Sequence, residues 1–253
     1  MVDKFEVMFT PAGEKRRIHL YTPPGYETSG ERYPVLYMFD GHNMFYDGDA
    51  TYGHCLGLRD FLDHWDKGVI VVGMECCMDD YVRTHEYVPF DVVSWTYGPI
   101  KGRGEATLQW IAKELKPFID ANWRTWPQRE ATAIGGYSMA GMTALYAPLA
   151  HNDVFSKAVV ISPSVLPKGT MENFRAEIDR DTLNPDTRIF FSWGTNEYGP
   201  DTDAYIERCL YELEGRVMAK GARTYMFRLE GGQHNEASWE KEVPCWMDFL
   251  WKG

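Results

Sequence analysis

A serine at position 138 stands among small residues in a pattern that suits nucleophilic catalysis. Gly136, Ser138 and Ala140 occupy the G-x-S-x-G positions of a nucleophile elbow, with alanine in place of the last glycine. Small neighbours let the chain turn sharply enough to expose the serine hydroxyl at the end of a strand. An activated serine hydroxyl attacks a carbonyl carbon and forms a covalent acyl intermediate. We therefore expect Ser138 to be the nucleophile of an acyl-transfer reaction.

Two later loops contain the partners that such a serine needs. His234 stands in a polar, glycine-rich stretch, where its imidazole can take the serine proton. Glu197 closely follows an apolar run, and its carboxylate is expected to hold the imidazole in the correct tautomer. Asp201 and Asp203 lie in the same loop and stay open as alternatives for the acid. The chain order serine, acid, histidine is that of α/β hydrolases.

An acyl-transfer site also needs hydrogen-bond donors for the oxyanion that forms on the attacked carbonyl. The backbone amide of Met139, directly after the nucleophile, is the first expected donor. A second amide is expected from the loop after Phe39, because enzymes with a nucleophile elbow take their second donor from a loop that follows an early strand.

Alternating strands and helices must hold these loops. Continuous apolar runs predict buried parallel strands over residues 33–39, 69–72, 131–134, 158–161, 189–193 and 224–229. Apolar periodicity and residue preferences predict helices over residues 56–65, 106–123, 139–149, 171–178, 205–218 and 238–251, with a kink at Pro117 in the second of them. Alternation over residues 4–9 and 16–21 predicts an antiparallel edge hairpin. The fold class is therefore α/β, with a mostly parallel, doubly wound sheet whose strand ends gather the reactive groups.

Residues 76–104 show no strong period and are rich in aromatic side chains. A loop of this length inside a compact domain is usually functional or mobile. We expect substrate contacts from Arg83, Trp95 and Tyr97, with either aromatic ring stacking on a sugar or phenolic ring. Asn43 is expected to join these contacts. Packing of the aromatic rings within the loop, and a solvated ion pair between Arg83 and Glu86, are the alternatives.

Composition restricts the classes of protein to consider. The 253 residues suit a single domain over residues 1–253, and the net charge of −11 opposes binding to nucleic acid or to anionic membranes. Five cysteines without C-x-x-C spacing indicate neither a zinc site nor a disulfide framework, so no metal is expected. A cytoplasmic location is expected, since no apolar leader or membrane-spanning run is present in the sequence.

The chain as a whole resembles the Putative esterase family of α/β hydrolases, which includes enterochelin, feruloyl and acetyl xylan esterases. The motifs are YTPPGY at 21–26, YPVLYMFDGHNMF at 33–45, EYVP at 86–89, LKPFID at 115–120, GGYSMAG at 135–141, SPS at 162–164, GTNE at 194–197 and GQHNE at 232–236. The resemblance implies a serine carboxylic-ester hydrolase without a cofactor. It also implies that His42 supplies the second oxyanion amide, with Asn43 as the fallback. Ala140 and Glu197 depart from the glycine and aspartate that are usual in the family.

The function expected from these observations is hydrolysis of small acyl or hydroxycinnamoyl esters, including carbohydrate-linked ones, through an acyl-enzyme. The expected partner is a small-molecule ester. Three alternatives stay open: a siderophore trilactone esterase, an acyltransferase, and a catalytically silent carbohydrate-binding protein. The acidic composition disfavours the first, because a loaded siderophore is anionic. The sequence determines neither the acyl and alcohol parts of the substrate nor the oligomeric state.

Overall fold

The computed structural model describes residues 1–252, and eight strands of this part form one mixed sheet. The strands of this sheet are β1 (Val2–Phe9), β2 (Glu14–Tyr21), β3 (Val35–Phe39), β4 (Ile70–Met74), β7 (Thr132–Tyr137), β8 (Lys157–Ile161), β9 (Arg188–Gly194) and β10 (Arg223–Leu229), while β5 (Val92–Ser94) and β6 (Gly98–Ile100) form a separate hairpin. The order across the sheet is β1-β2-β4-β3-β7-β8-β9-β10. Within it, the pairs β1–β2 and β2–β4 are antiparallel and all other pairs are parallel. The predicted mostly parallel sheet with an antiparallel edge hairpin is therefore confirmed.

Helices cover both faces of the sheet. They are α1 (Leu58–Leu62), α2 (Asp80–Tyr87), α3 (Gly104–Trp110), α4 (Lys116–Asn122), α5 (Met139–Ala150), α6 (Thr170–Arg180), α7 (Pro200–Ala219), α8 (Glu236–Trp239) and α9 (Val243–Trp251). One apolar cluster joins the sheet to α3, α5, α6 and α7, and a second cluster joins the other face to α1 and α9. Covering both faces explains why the central strands are continuously apolar.

Two of the predicted helices are interrupted. The helix predicted over residues 106–123 is divided into α3 and α4 by a π-helical turn, Ile111–Leu115. Pro117 lies just beyond this turn and has no N–H to donate to the preceding turn, so the predicted kink takes the form of a local change in helix type. The terminal helix is likewise divided by a 3-10 turn, Glu240–Glu242, directly before Pro244.

The segment at residues 76–104 contains more regular structure than its sequence indicated. It forms α2 and the β5–β6 hairpin. Asp79 caps α2, since its carboxylate accepts hydrogen bonds from the amides of Tyr81 at 3.0 Å and Val82 at 3.1 Å. A helix of eight mostly polar residues has too little apolar periodicity to be recognised. Among residues 1–252, no helix has the length and apolar character needed to cross a bilayer.

Candidate active site

Ser138 lies in the sharp turn between β7 and α5 that its neighbours predicted. Its backbone angles, φ 58° and ψ −127°, are strained for a residue with a side chain. A Cβ atom at Gly136 would lie 2.8 Å from atoms of Ala140, so the turn requires glycine at 136. Ala140 is completely buried, and its methyl group occupies the space that Gly136 leaves open. The departure from the usual glycine at 140 is therefore compatible with the elbow.

The structure brings the three predicted catalytic side chains together at the carboxyl ends of β7, β9 and β10. The Nε2 atom of His234 lies 2.9 Å from Ser138 Oγ, and its Nδ1 atom lies 2.8 Å from Glu197 Oε2. The Glu197 side chain is only 3% exposed, whereas that of His234 is 20% exposed and lines a cleft. This is the hydrogen-bond order of a serine, histidine and acid triad.

The second oxygen of Glu197 is held by residues to which sequence reasoning gave no role. Glu197 Oε1 accepts hydrogen bonds from the Gly194 amide at 2.7 Å and from Ser162 Oγ at 2.5 Å. Trp239 Nε1 donates to the same Ser162 oxygen at 3.0 Å, and its ring packs edge-on against His234. Ser162 is buried and has a positive φ of 42°. Its only sequence signal is its place in the SPS motif, directly after a strand.

The alternative acids, Asp201 and Asp203, do not bond His234. The carboxylate of Asp203 accepts hydrogen bonds from the amides of Tyr198 at 2.9 Å and Gly199 at 3.2 Å. These amides lie just before α7, which begins at Pro200 rather than near residue 205. Asp203 therefore stabilises the start of this helix, as carboxylates commonly do. Asp201 is exposed in the first turn.

Of the two residues expected to supply oxyanion amides, Met139 directly follows Ser138, and His42 lines the same cleft as Ser138. Met139 is the first residue of α5, and His42 lies in the 3-10 turn Gly41–Asn43, where helix starts leave N–H groups without an internal partner. Neither amide donates to a described residue. A Cβ atom at Gly41 would lie 2.3 Å from the Gly73 backbone, so glycine lets this turn pack against β4. An N–H group without a partner inside the protein can donate a hydrogen bond to an oxyanion.

The His42 side chain is buried. Its Nε2 atom lies 2.9 Å from Thr51 Oγ1. Burial lowers the pKa of His42, and the opposing charges of Asp40 and Glu75 do not outweigh it. The imidazole is therefore neutral at neutral pH, which leaves the backbone amide as the contribution expected from this residue.

A cleft of about 340 Å³ opens over Ser138. Arg83 lines it and forms a paired contact with Asp40, with Nε to Oδ1 at 3.0 Å and Nη2 to Oδ2 at 2.6 Å. Burial alone would raise the Asp40 pKa, but the charge and hydrogen bonds of Arg83 lower it below its ordinary value. Glu86 pairs with Arg16, so the Arg83–Glu86 pairing considered from the sequence is wrong. The polar and charged lining includes His42, Asp80, Ser138, His234 and Glu236.

The two aromatic residues expected to contact substrate lie away from this cleft. Trp95 is 93% exposed at the tip of the β5–β6 hairpin and lines a separate shallow groove with Leu166 and Tyr205. Tyr97 packs against Tyr81, with ring centres 6.2 Å apart. Of the four predicted substrate contacts, only Asn43 and Arg83 line the cleft. Residues 1–252 contain no cluster of three or more His, Cys, Asp or Glu side chains suited to a metal.

Two curated bacterial proteins are similar to parts of the chain. YbbA of Bacillus subtilis (strain 168) is 27% identical over 185 residues, which cover 72% of this chain and 69% of YbbA. Esterase Rv1288 of Mycobacterium tuberculosis (strain ATCC 25618 / H37Rv) is 36% identical over 128 residues, 51% of this chain. The matched part is only 25% of the mycobacterial esterase.

One solved structure and one protein family match nearly the whole chain. The enterobactin esterase FES from Shigella flexneri, determined with enterobactin, has a TM-score of 0.73 and 18% identity, over 100% of this chain and 59% of that one. This likeness shows that the fold is that of the α/β hydrolases. A family described as "Putative esterase" matches residues 10–246. The match spans nearly the whole sequence, and the chain therefore belongs to the Putative esterase family of ester hydrolases.

Proposed function

We propose that the protein hydrolyses carboxylic esters through a covalent acyl intermediate on Ser138. The observation that carries this proposal is the continuous hydrogen-bonded series from Ser138 Oγ through His234 to Glu197, at 2.9 and 2.8 Å. The series ends at a strained serine that lines a cleft. A serine that only formed a structural turn would have no need of an imidazole backed by a buried carboxylate.

In the acylation step, His234 Nε2 takes the proton of Ser138 as the serine oxygen attacks the ester carbonyl carbon. The oxyanion of the tetrahedral intermediate accepts hydrogen bonds from the amides of Met139 and His42. The carbon–oxygen bond to the alcohol then breaks, and the histidine returns its proton to the departing alkoxide. Glu197 stays ionised and stabilises the imidazolium.

Deacylation repeats these steps with water as the nucleophile. Water loses a proton to His234 as its oxygen attacks the acyl carbon, and the second tetrahedral intermediate collapses to release the carboxylic acid product. Ser138 recovers its proton from the histidine. The sum is one ester and one water converted into one acid and one alcohol, with no cofactor.

The proposed substrates are small, uncharged acyl or hydroxycinnamoyl esters, including carbohydrate-linked ones. A volume of about 340 Å³ is at the small end of ligand sites. Arg83 is the one Lys or Arg among the described residues that line the cleft, and Asp40 already pairs with it. Asp80 and Glu236 add carboxyl groups to the wall. These charges favour uncharged substrates over anionic ones.

A siderophore trilactone is the second candidate substrate, because the fold is shared with an enterobactin esterase. Comparing kcat/KM for acetyl, feruloyl and trilactone esters distinguishes the two. A preference for the iron-loaded trilactone of a hundredfold or more would select the second candidate. Similar or greater activity on the uncharged esters supports the first.

Replacing the nucleophile tests the mechanism. Ser138→Ala should lower kcat for an activated ester by about a million-fold, since no other group can form the acyl-enzyme. Ser29→Ala is the matched control and should keep wild-type kcat, because the Ser29 hydroxyl bonds the Tyr33 hydroxyl and Ser29 does not line the cleft. Mass spectrometry of the wild-type protein mixed rapidly with the ester should detect one acyl group on Ser138. Near-normal turnover by Ser138→Ala would remove the proposal.

A further inference from the structure

The side chain of Asn43 joins three segments that are distant in sequence. Its Nδ2 atom donates to the Tyr137 hydroxyl at 3.0 Å and to Glu236 Oε1 at 3.1 Å. Its Oδ1 atom accepts a hydrogen bond from the Thr51 amide at 2.9 Å. Asn43 is 5% exposed, Tyr137 3% and Glu236 5%, so these bonds form where water competes little.

Each of these segments contains one proposed element of the reaction. Asn43 directly follows His42, the second oxyanion donor. Tyr137 directly precedes Ser138, and Glu236 lies two residues after His234. A shift in any one of these segments would therefore move a group that acts on the ester, and misplacement by about 1 Å can lower the rate about a hundredfold.

Asparagine suits this position because it offers two N–H donors and an acceptor in one planar group. Both N–H groups are used by Tyr137 and Glu236, which leaves no free donor for a substrate. The substrate contact expected from the sequence for Asn43 therefore gives way to a contact within the protein. Ionised aspartate has the same shape but has no hydrogen to donate to a carboxylate.

We infer that Asn43 is a positioning residue that holds the oxyanion turn, the nucleophile turn and the histidine loop in one arrangement. The inference rests on the proposed function of Ser138 and His234. It concerns how the three loops are kept in register, since Asn43 itself touches none of the reacting atoms.

Reversing the direction of one hydrogen bond provides the test. Asn43→Asp should lower kcat roughly a hundredfold, because it sets two carboxyl groups against each other. Burial already raises the pKa of Glu236, so this site tolerates added negative charge poorly. Glu236→Gln, whose amide oxygen can still accept from Asn43, should lower kcat by less than about tenfold. The double variant Asn43→Asp/Glu236→Gln restores a donor opposite an acceptor and should recover kcat to within about tenfold of wild type.

The kinetic constants separate positioning from substrate binding. KM for a small acetyl ester should change by less than about threefold in every variant, while kcat changes as stated, since the loss falls on the transition state. Denaturant unfolding of each variant shows whether it is folded. If Asn43→Asp does not fold, Tyr137→Phe takes its place and should lower kcat by roughly two- to tenfold with KM unchanged.

Three results would overturn the inference: wild-type kcat in Asn43→Asp, equal losses in the folded single and double variants, or a change confined to KM. Failure of the proposed function has a different signature. In that case Ser138→Ala would keep its activity and no acyl group would form on Ser138 in the wild-type protein.

Discussion

Two glutamates with buried side chains, Glu197 after β9 and Glu242 before α9, have opposite surroundings. Glu197 receives hydrogen bonds from Gly194, Ser162 and His234. Glu242 is completely buried, and neither of its oxygens bonds a described residue. Burial raises the pKa of Glu242 to about 8 against the opposing influence of the nearby Ser192 hydroxyl, and the charge of Glu197 adds a smaller increase. Desolvation favours the neutral form of a buried carboxyl group, whereas hydrogen-bond donors favour the charged form that can stabilise an imidazolium.

The largest expected effect is the loss of kcat when Glu197, the carboxyl group that receives hydrogen bonds, is replaced. Glu197→Gln should lower kcat roughly 10⁴-fold, because an amide neither orients the histidine tautomer nor stabilises its positive charge. Steady-state kinetics with an activated ester measures the loss, and the residual activity should exceed that of Ser138→Ala. If Glu197→Gln kept most of its kcat while Asp201→Asn or Asp203→Asn lost three orders of magnitude, the acid would be misassigned.

Glu242, whose carboxyl oxygens accept no hydrogen bond from a described residue, should affect the free energy of unfolding. Between pH 4.5, the ordinary glutamate pKa, and about 8, the unfolded chain releases the Glu242 proton while the folded protein retains it. The free energy of unfolding should therefore fall as pH rises through this window, by at most about 1.4 kcal/mol per pH unit from this group.

Glu242→Gln should remove this part of the pH dependence, so its stability relative to wild type should rise from pH 5 to pH 8. Urea unfolding at several pH values measures the effect. Glu27→Gln changes the same charge at an exposed position and serves as the control. Parallel pH profiles for Glu242→Gln and wild type would mean that Glu242 is ionised in the folded protein.

Removing one donor from Glu197 should produce a smaller effect. Ser162→Ala should lower kcat about tenfold, because the carboxylate keeps the Gly194 amide but loses the hydroxyl bond. Trp239 Nε1 would also lose its acceptor, so unfolding measurements must accompany the kinetics. Unchanged kcat in a folded Ser162→Ala protein would show that the Gly194 amide and His234 suffice to hold Glu197.

The smallest effect is expected at a third carboxyl group, Asp203, which bonds only backbone amides of its own loop. Asp203→Asn should lower the free energy of unfolding by about 0.5 kcal/mol, the usual contribution of a charge at a helix start. Its kcat should stay within about twofold of wild type, because Asp203 makes no bond to His234. A fall in kcat well beyond this range in a folded Asp203→Asn protein would contradict the separate roles of these carboxyl groups.

The order of elements was predictable because it depends on local properties. Apolar runs become strands in the core, and small residues around Ser138 permit a sharp turn. Helix continuity was predicted less well. The interruption at residues 111–115 and the short helix α2 depend on packing and capping. The spacing of apolar residues along the sequence does not report either of these. Trp95 lies at a hairpin tip and not in the cleft where we expect it from the sequence. No local property of the sequence distinguishes a ring that lines a cleft from one at a hairpin tip.

The amino-acid sequence alone specifies the reactive groups, their order along the chain, and the strand ends where they gather. Parallel strands bring their carboxyl ends to one edge of a sheet, so Ser138 and His234 could be paired across 96 residues. The identity of the carboxylate that reaches His234, and of the groups that hold this carboxylate, depends on tertiary packing. Contacts such as Ser162 with Glu197, or Asn43 with Glu236, depend on the relative placement of whole loops, and no residue type or spacing encodes that distance.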